Sequence, residues 1–169
     1  MTDLVIRPAE KEDGSAIWGL TRQVDALETN SAYAYLLLCR DFGDSCRVAV
    51  ADGELLGFVV GYRPPRRPET LFVWQIGVHP RARGRGVASR LLRELVRGAA
   101  SAGVTCLEAT VTPRNEASRA LFESFARAVD APCEVTPCFE PDDFPRPHEP
   151  EELFRIGPFD RALSAPQHP

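Results

Sequence analysis

The feature that most constrains the fold is a turn at Gly84 and Gly86, between a β-type run and a helical run. The run 70–78 is rich in residues that favour strands, and Pro80 stops it. After Gly86, apolar residues recur along one helix face from 87 to 99. A strand, a glycine turn and a helix in succession direct backbone N–H groups outward at a helix N-terminus, where the helix dipole favours an anion. The segment therefore predicts a phosphate-binding loop.

Three phosphate-binding motifs compete for this turn. A Walker loop needs a lysine after its glycines, and none follows Gly86. A dinucleotide fingerprint needs a third glycine where Ser89 stands, and Glu108 lies inside a predicted strand rather than at its carboxyl end. The pattern R-x-x-G-x-G after a strand ending in Val-x-Pro matches at every position. A glycine turn with solvated arginines is the alternative without function, and the agreement of strand, turn and helix argues against it.

Strands and helices alternate along the rest of the chain. In addition to 70–78, the pattern predicts strands at 4–7, 47–51, 55–61, 104–111 and 153–156. It predicts helices at 13–27, 31–42, 87–103 and 115–129, with Asp13 and Asn115 as N-caps. The proline-rich, acidic stretch 132–150 is predicted to be a loop. This order indicates an α/β (mixed α+β) fold, with about six to seven strands in one mixed sheet and about four flanking helices.

Composition limits the function further. A net charge of −4 argues against a nucleic-acid partner. Arginines concentrate between 66 and 90 and carboxylates between 140 and 152, which suits one anionic and one cationic ligand. Five cysteines, an odd count without a C-x-x-C pair, argue against a zinc cage and a full disulfide set, and we expect no metal. The start has no signal-peptide pattern, and no apolar run reaches membrane-spanning length, so a cytoplasmic location without a membrane partner is expected. We expect one domain at 1–159 and a disordered tail at 160–169.

The loop and its surroundings, from Leu4 to Ile156, resemble the GNAT superfamily of acetyl-CoA N-acetyltransferases, whose third helix begins at such a loop. The resemblance implies that strand 70–78 splays from strand 104–111, and that backbone groups in the gap hold the pantetheine arm and the acetyl carbonyl. It implies acetyl-CoA as co-substrate. The implied contacts are Ile76, Gly77 and Val78 through their backbone, Arg83, Gly84, Arg85, Gly86, Val87 and Ala88 at the pyrophosphate, and Asn115 beside the pantetheine.

Four separated segments, 30–39, 70–75, 110–119 and 148–154, are similar to one branch of that superfamily, the L-2,4-diaminobutyrate acetyltransferases of ectoine biosynthesis. The likeness implies acetylation of the γ-amine of this diamino acid by a homodimer. Glu28 stands where that branch is expected to carry aspartate, so the carboxylate is kept with one more methylene.

The chemistry needs groups that bind an ammonium ion and remove its proton. An alkyl ammonium with a pKa of about 10.4 loses its proton at pH 7 at a cost of roughly 4–5 kcal/mol. The candidate catalytic residues are Glu28, Glu151 and His148; the candidate substrate ligands are Glu28, Tyr33, Tyr35, Trp74, Thr112 and Glu151. Each has a structural alternative, since the carboxylates and His148 could belong to a solvated loop and the aromatic residues to the core.

The leaving thiolate also needs a proton. Many GNAT enzymes supply it from a tyrosine on the helix after Asn115, but Phe122 occupies that place here, so we expect water, the product amine or another hydroxyl to supply it. Two other functions stay open from sequence: acetylation of another small amine or polyamine, and a catalytically silent acetyl-CoA sensor.

Overall fold

A seven-stranded mixed sheet forms the centre of the fold in the computed structural model, which describes residues 3–160. The strands are β1 (Val5–Pro8), β2 (Cys46–Ala51), β3 (Glu54–Tyr62), β4 (Thr70–Val78), β5 (Cys106–Val111), β6 (Cys133–Phe139) and β7 (Glu151–Ile156). Their order across the sheet is β1-β2-β3-β4-β5-β7-β6. Only β4 and β5 run parallel, so the chain between them crosses over the sheet.

Four α-helices cover the sheet: α1 (Gly14–Thr21), α2 (Ala32–Asp41), α3 (Val87–Ala100) and α4 (Glu116–Ala128). Short 3-10 turns lie at Lys11–Asp13, Gly43–Ser45, Pro80–Ala82 and Pro141–Asp143. The side chain of Ser31 caps α2 by accepting from the Ala34 N–H, and that of Asn115 caps α4 by accepting from the Ser118 N–H. None of the helices in residues 3–160 combines the length and apolarity that a membrane span requires.

Two hydrophobic cores lie on opposite faces of the sheet. The larger core joins the sheet to α3 and α4, and Leu91 and Leu95 at its centre have no exposed surface. Each such leucine stabilises the fold by roughly 1.5–3 kcal/mol. The smaller core packs Ile17 of α1 and Tyr35 of α2 against Phe58 of β3. The predicted α/β architecture with six to seven strands and about four helices is thus confirmed.

Three local predictions were wrong. Asp13 precedes α1, but its side chain does not cap that helix, because the carboxylate accepts from Arg7 and from the Glu10 N–H instead. The first helix ends at Thr21 rather than at 27, but Val24 and Leu27 still pack against the smaller core from a turn, so their apolar spacing did not require a helix. The stretch predicted as a loop contains β6, which pairs antiparallel with β7. As the last strand of the sheet, β6 accommodates Pro137 beside a register shift, where a central strand would not. Apart from Asp160, the predicted tail lies outside the described residues.

Candidate functional site

The two parallel strands at the centre of the sheet pair over only half of β4. Residues 70–73 pair with 106–109, and the pairing then stops although β4 continues to Val78. The last residues of β5, 110–111, remain paired with β7 on their other side. The two strands therefore separate, as the resemblance implied, and the backbone groups that β4 directs towards β5 beyond Val73 face a cleft.

A β-bulge in β4 lies where the separation begins. Val60 of β3 pairs with Gln75, whereas the next residue, Gly61, pairs with Val73. Trp74 is therefore the extra residue of β4. A bulge bends its strand and redirects side chains, which accounts for the presence of both Trp74 and Gln75 at the cleft.

The cleft has two lobes. The first, about 360 Å³ in volume, we call the acidic lobe; it is lined by Glu28, Trp74, Thr110, Thr112, His148, Glu149 and Glu151, among others. The second, about 520 Å³, we call the glycine lobe; it is lined by Ile76, Gly77, Val78, Arg83, Gly84, Gly86, Val87, Ala88 and Ser89, among others. Five residues line both lobes, namely Ala26, Leu27, Ile76, Asn115 and Ser118.

The glycine lobe has the geometry of an anion cradle. Gly84 and Gly86 have φ values of 71° and 72°, which a residue with a side chain rarely adopts. Gly86 immediately precedes α3, and its carbonyl accepts from the Arg90 N–H to close the first helical turn. The N–H groups of 87–89 precede that bond and so have no partner within the helix. They are available to a negatively charged ligand in the lobe.

Most of the predicted cofactor contacts line this lobe. Only Arg85 does not, because it lies exposed at the surface of the turn. Arg81 forms an ion pair with Glu54 of β3. The Arg81 N–H also donates to the His79 ring, at 3.2 Å between nitrogens. These contacts connect the turn to β3 and to the end of β4.

Three of the predicted residues meet in the acidic lobe. The His148 Nε2 atom lies 3.5 Å from Glu28 Oε1 and 3.9 Å from Glu151 Oε1. The other ring nitrogen, Nδ1, lies 2.5 Å from the Glu149 carbonyl oxygen and donates to it, which directs Nε2 towards the two carboxylates. The Glu28 side chain is 81% exposed, whereas that of Glu151 is 19% exposed.

The surroundings shift two pKa values in this lobe. Burial raises the pKa of Glu151 above its usual value, while His148 and a hydrogen bond from Thr110 act to lower it. The pKa of His148 is also raised, first by its hydrogen bond to the Glu149 carbonyl and then by the nearby charges of Glu151 and Glu28. The raised pKa of Glu151 makes its carboxylate a better proton acceptor than a free carboxylate, and the raised pKa of His148 makes its ring a better proton acceptor than a free imidazole.

Aromatic stacking holds His148 in place. Its ring lies 3.9 Å from that of Phe144, with an angle of 15° between the planes. Phe144 in turn meets Phe139 of β6 edge-on, at 6.3 Å between ring centroids. The segment between β6 and β7 is therefore an ordered strap that brings His148 to the cleft, and β6 gives that strap its support.

Tyr35 supports the site from below and does not line it. Its side chain has no exposed surface, and its ring stacks on Trp74 at 5.7 Å. The Tyr35 hydroxyl donates to Gln75 Oε1 at 2.8 Å, and Gln75 Nε2 donates to the Glu28 carbonyl at 2.8 Å. This chain of contacts fixes the backbone that carries Glu28. Tyr33 is 67% exposed and lines neither lobe.

Sequence reasoning missed several residues of the cleft. Gln75, Thr110 and Ser118 line it, and none of them was a candidate. The signal for Ser118 was present, because it lies one helical turn after the cap Asn115 and so shares its face. No local signal identified Gln75, since the bulge that exposes it arises from pairing between strands.

Glu108, the residue that a dinucleotide-binding site would need at a strand end, is instead buried inside β5. Its carboxylate is only 1% exposed and binds Arg67 at 2.6 and 2.7 Å and Arg155 at 2.5 Å. Glu108 of β5 therefore pairs with Arg67 of the β3–β4 loop and with Arg155 of β7, and it is not at the cleft. Among residues 3–160, no cluster of three or more potential metal ligands is found.

Comparison with known proteins identifies the family. The acetyltransferase (GNAT) family model matches residues 12–126. The L-2,4-diaminobutyric acid acetyltransferase of Halalkalibacterium halodurans is 46% identical over 93% of this chain and 83% of its own length, and that of Nocardia farcinica is 44% identical over 91% and 80%. The solved structure of diaminobutyrate acetyltransferase EctA from Paenibacillus lautus, in complex with its substrate L-2,4-diaminobutyric acid and coenzyme A, superposes with a TM-score of 0.90 at 42% identity and covers 95% of this chain and 98% of its own. These matches confirm the resemblance inferred from the loop and the four segments, and the chain belongs to the acetyltransferase (GNAT) family.

Proposed function

We propose that the chain transfers the acetyl group of acetyl-CoA directly to the γ-amine of L-2,4-diaminobutyrate, a step of ectoine biosynthesis. The observation that carries the proposal is the cleft itself, in which an anion cradle meets a group of carboxylates at the gap between β4 and β5. Relatives that are 44–46% identical over nearly the whole chain bear the name of this activity. The substrate and coenzyme A bound to the Paenibacillus lautus relative support the same assignment.

In the glycine lobe, the pyrophosphate of acetyl-CoA is proposed to accept hydrogen bonds from backbone N–H groups between 84 and 88. The pantetheine arm then runs along the free edge of β4 at 76–78 and passes Asn115, whose Oδ1 atom already caps α4. This leaves the Asn115 amide nitrogen to donate to the arm. The thioester reaches the junction of the two lobes.

In the acidic lobe, the carboxylates of Glu28 and Glu151 are proposed to hold the ammonium group, and Glu151 and His148 to receive its proton. Deprotonation costs roughly 4–5 kcal/mol at pH 7 for an amine with a pKa of about 10.4. A carboxylate whose pKa is raised by burial accepts that proton more readily than an exposed one. The neutral amine then attacks the thioester.

Position selects the γ-nitrogen. The α-amine is less basic, with a pKa of about 8, so proton loss alone would favour the wrong nitrogen. Trp74 and Thr112 line the acidic lobe, and we assign them to the carbon chain and the carboxylate of the substrate. Tyr35 acts through Trp74 and Gln75. Tyr33 has no assigned role.

We also propose that the chain works in the cytoplasm as a homodimer, with small-molecule substrates as its ligands and no nucleic-acid or membrane partner. The five cysteines are all unpaired, which suits a reducing compartment. Light scattering tests the dimer, and a mass of one chain would contradict it.

Steady-state assays with diaminobutyrate, ornithine, lysine and putrescine test the function, together with NMR of the product. The expected result is the highest kcat/KM with diaminobutyrate and an acetyl group on the γ-nitrogen. A preference for putrescine would refute the diamino-acid assignment. Binding of coenzyme A without turnover of any amine would identify a sensor instead.

A further inference from the structure

The junction of the two lobes is where bond exchange takes place, if the proposed function holds. The arm of acetyl-CoA enters from the glycine lobe and the amine from the acidic lobe, so the thioester carbon and its sulfur lie between them. Of the five residues that line both lobes, two carry polar side chains, Asn115 and Ser118. The side-chain oxygen of Asn115 is occupied by the Ser118 N–H, and an amide does not exchange protons readily.

The other hydroxyl groups near the cleft are in the wrong place or already in use. Thr110 donates to Glu151 in the acidic lobe. Thr112 lines only the acidic lobe and Ser89 only the glycine lobe. The Tyr35 hydroxyl is buried against Gln75. Ser118 therefore carries the one hydroxyl, among the described residues of the cleft, that lies at the junction.

Phe122 explains why such a hydroxyl is needed. It lies one turn after Ser118 on α4, lines the acidic lobe and packs against Phe154 at 6.2 Å between ring centroids. Its ring offers no proton. An alkyl thiolate is the conjugate base of a thiol with a pKa of about 8.5, so at neutral pH it leaves faster when a proton is delivered to it.

We propose that Ser118 relays a proton to the departing sulfur. As the nitrogen of the substrate bonds to the acetyl carbon, that nitrogen becomes positively charged and keeps an N–H. When the carbon–sulfur bond breaks, the Ser118 hydroxyl gives its proton to the sulfur and takes the proton of the nitrogen. The products are a neutral amide and coenzyme A as its thiol, and serine is regenerated. A relay suits serine, because its hydroxyl is too weak an acid to give up a proton without regaining one.

The test compares the Ser118→Ala and Ser118→Thr variants with the wild-type chain in steady-state assays with acetyl-CoA and diaminobutyrate. Alanine keeps the cap of α4, because Asn115 binds the backbone N–H of residue 118. For Ser118→Ala we expect kcat to fall about 10- to 100-fold, less than a full general-acid contribution because water replaces the hydroxyl. The KM for the amine and the Kd for coenzyme A should stay within about 2-fold, and threonine should keep most of the activity.

Ser101→Ala is the matched control, since Ser101 lies exposed at the end of α3 and its hydroxyl binds only the Gly98 carbonyl. If the Ser118→Ala variant does not fold, a second pair of variants, Ser118→Thr and Ser118→Val, replaces it. Their side chains have nearly the same shape and differ in the hydroxyl, so the ratio of their kcat values decides whether the hydroxyl is needed. Equal kcat values for the variants with and without the hydroxyl, or a loss in kcat that follows a loss of coenzyme A affinity, would overturn the relay. A wild-type chain that acetylates no diaminobutyrate would refute the proposed function instead, and the amine it does accept would then serve in the comparison.

Discussion

Replacing Tyr35 with phenylalanine tests whether this residue supports the site or contacts the substrate. The change removes the hydroxyl that donates to Gln75 Oε1 and leaves that oxygen without its donor in a side chain that is 8% exposed. A buried polar group that loses its partner costs about 2 kcal/mol of folding free energy. For a domain of this size, that is a fall in Tm of roughly 4–8 °C. The ring itself stays, so its stacking on Trp74 is retained.

The effect on the kinetics follows from the hydrogen bond between the Gln75 side chain and the Glu28 carbonyl. Gln75 Nε2 holds the Glu28 carbonyl, so a mobile Gln75 loosens the loop that carries Glu28. We expect the KM for diaminobutyrate to rise about 3- to 10-fold, corresponding to about 1 kcal/mol, with coenzyme A affinity unchanged. Calorimetric melting and steady-state kinetics measure both effects, with the exposed Tyr33→Phe as the control that changes neither. A loss of acceptor kinetics at an unchanged Tm would refute the supporting role and restore Tyr35 as a substrate ligand.

Three further perturbations test other parts of the cleft. Glu28→Gln should damage acceptor kinetics and leave acetyl-CoA affinity nearly intact, and unchanged kinetics would remove Glu28 from the site. Gly86→Ala places a side chain at a φ of 72°, which costs about 1–2 kcal/mol of folding free energy. Calorimetry should therefore record weaker coenzyme A binding and a lower Tm, and wild-type values for both would contradict the anion cradle. Because the pKa of His148 is raised from 6.5, its charged form persists to higher pH, and kcat/KM for the amine should rise with pH through a midpoint above 6.5. His148→Gln should lack that limb, and an identical profile in both proteins would exclude His148 as the titrating group.

The parts of the fold that the sequence predicted well are those with a local cause. The glycine turn, the amphipathic face of α3 and the cap at Asn115 each depend on residues within one or two turns of each other. The separation of β4 from β5 was predicted through the resemblance, and pairing between the strands confirms it. Local signals therefore located the glycine turn and the starts of α3 and α4, and the resemblance added the free edge of β4 to them.

The acidic lobe was harder to predict because its parts come from distant segments. The loop carrying Glu28, the bulge in β4, the start of α4 and the strap carrying His148 meet only in the folded chain. The strap depends on β6, whose proline and mostly exposed residues hide its strand character, since its pairing with β7 supplies what local propensity does not. Nothing in the spacing of α2 indicated that Tyr35 is buried and Tyr33 exposed.

The two carboxylates beside His148 differ in environment, and from this difference we propose separate roles for them. Glu28 is 81% exposed, so solvent and salt screen its charge, and its attraction for an ammonium ion is weak and extends only about 10 Å at 0.1 M salt. Glu151 is 19% exposed, its pKa is raised by burial, and it accepts a hydrogen bond from Thr110. A buried acceptor with a raised pKa is better suited to take a proton, and an exposed carboxylate on a longer side chain is better suited to guide the substrate inward. The extra methylene of glutamate at position 28 is therefore compatible with the site, because guiding a cation depends on charge more than on the exact position of the oxygens.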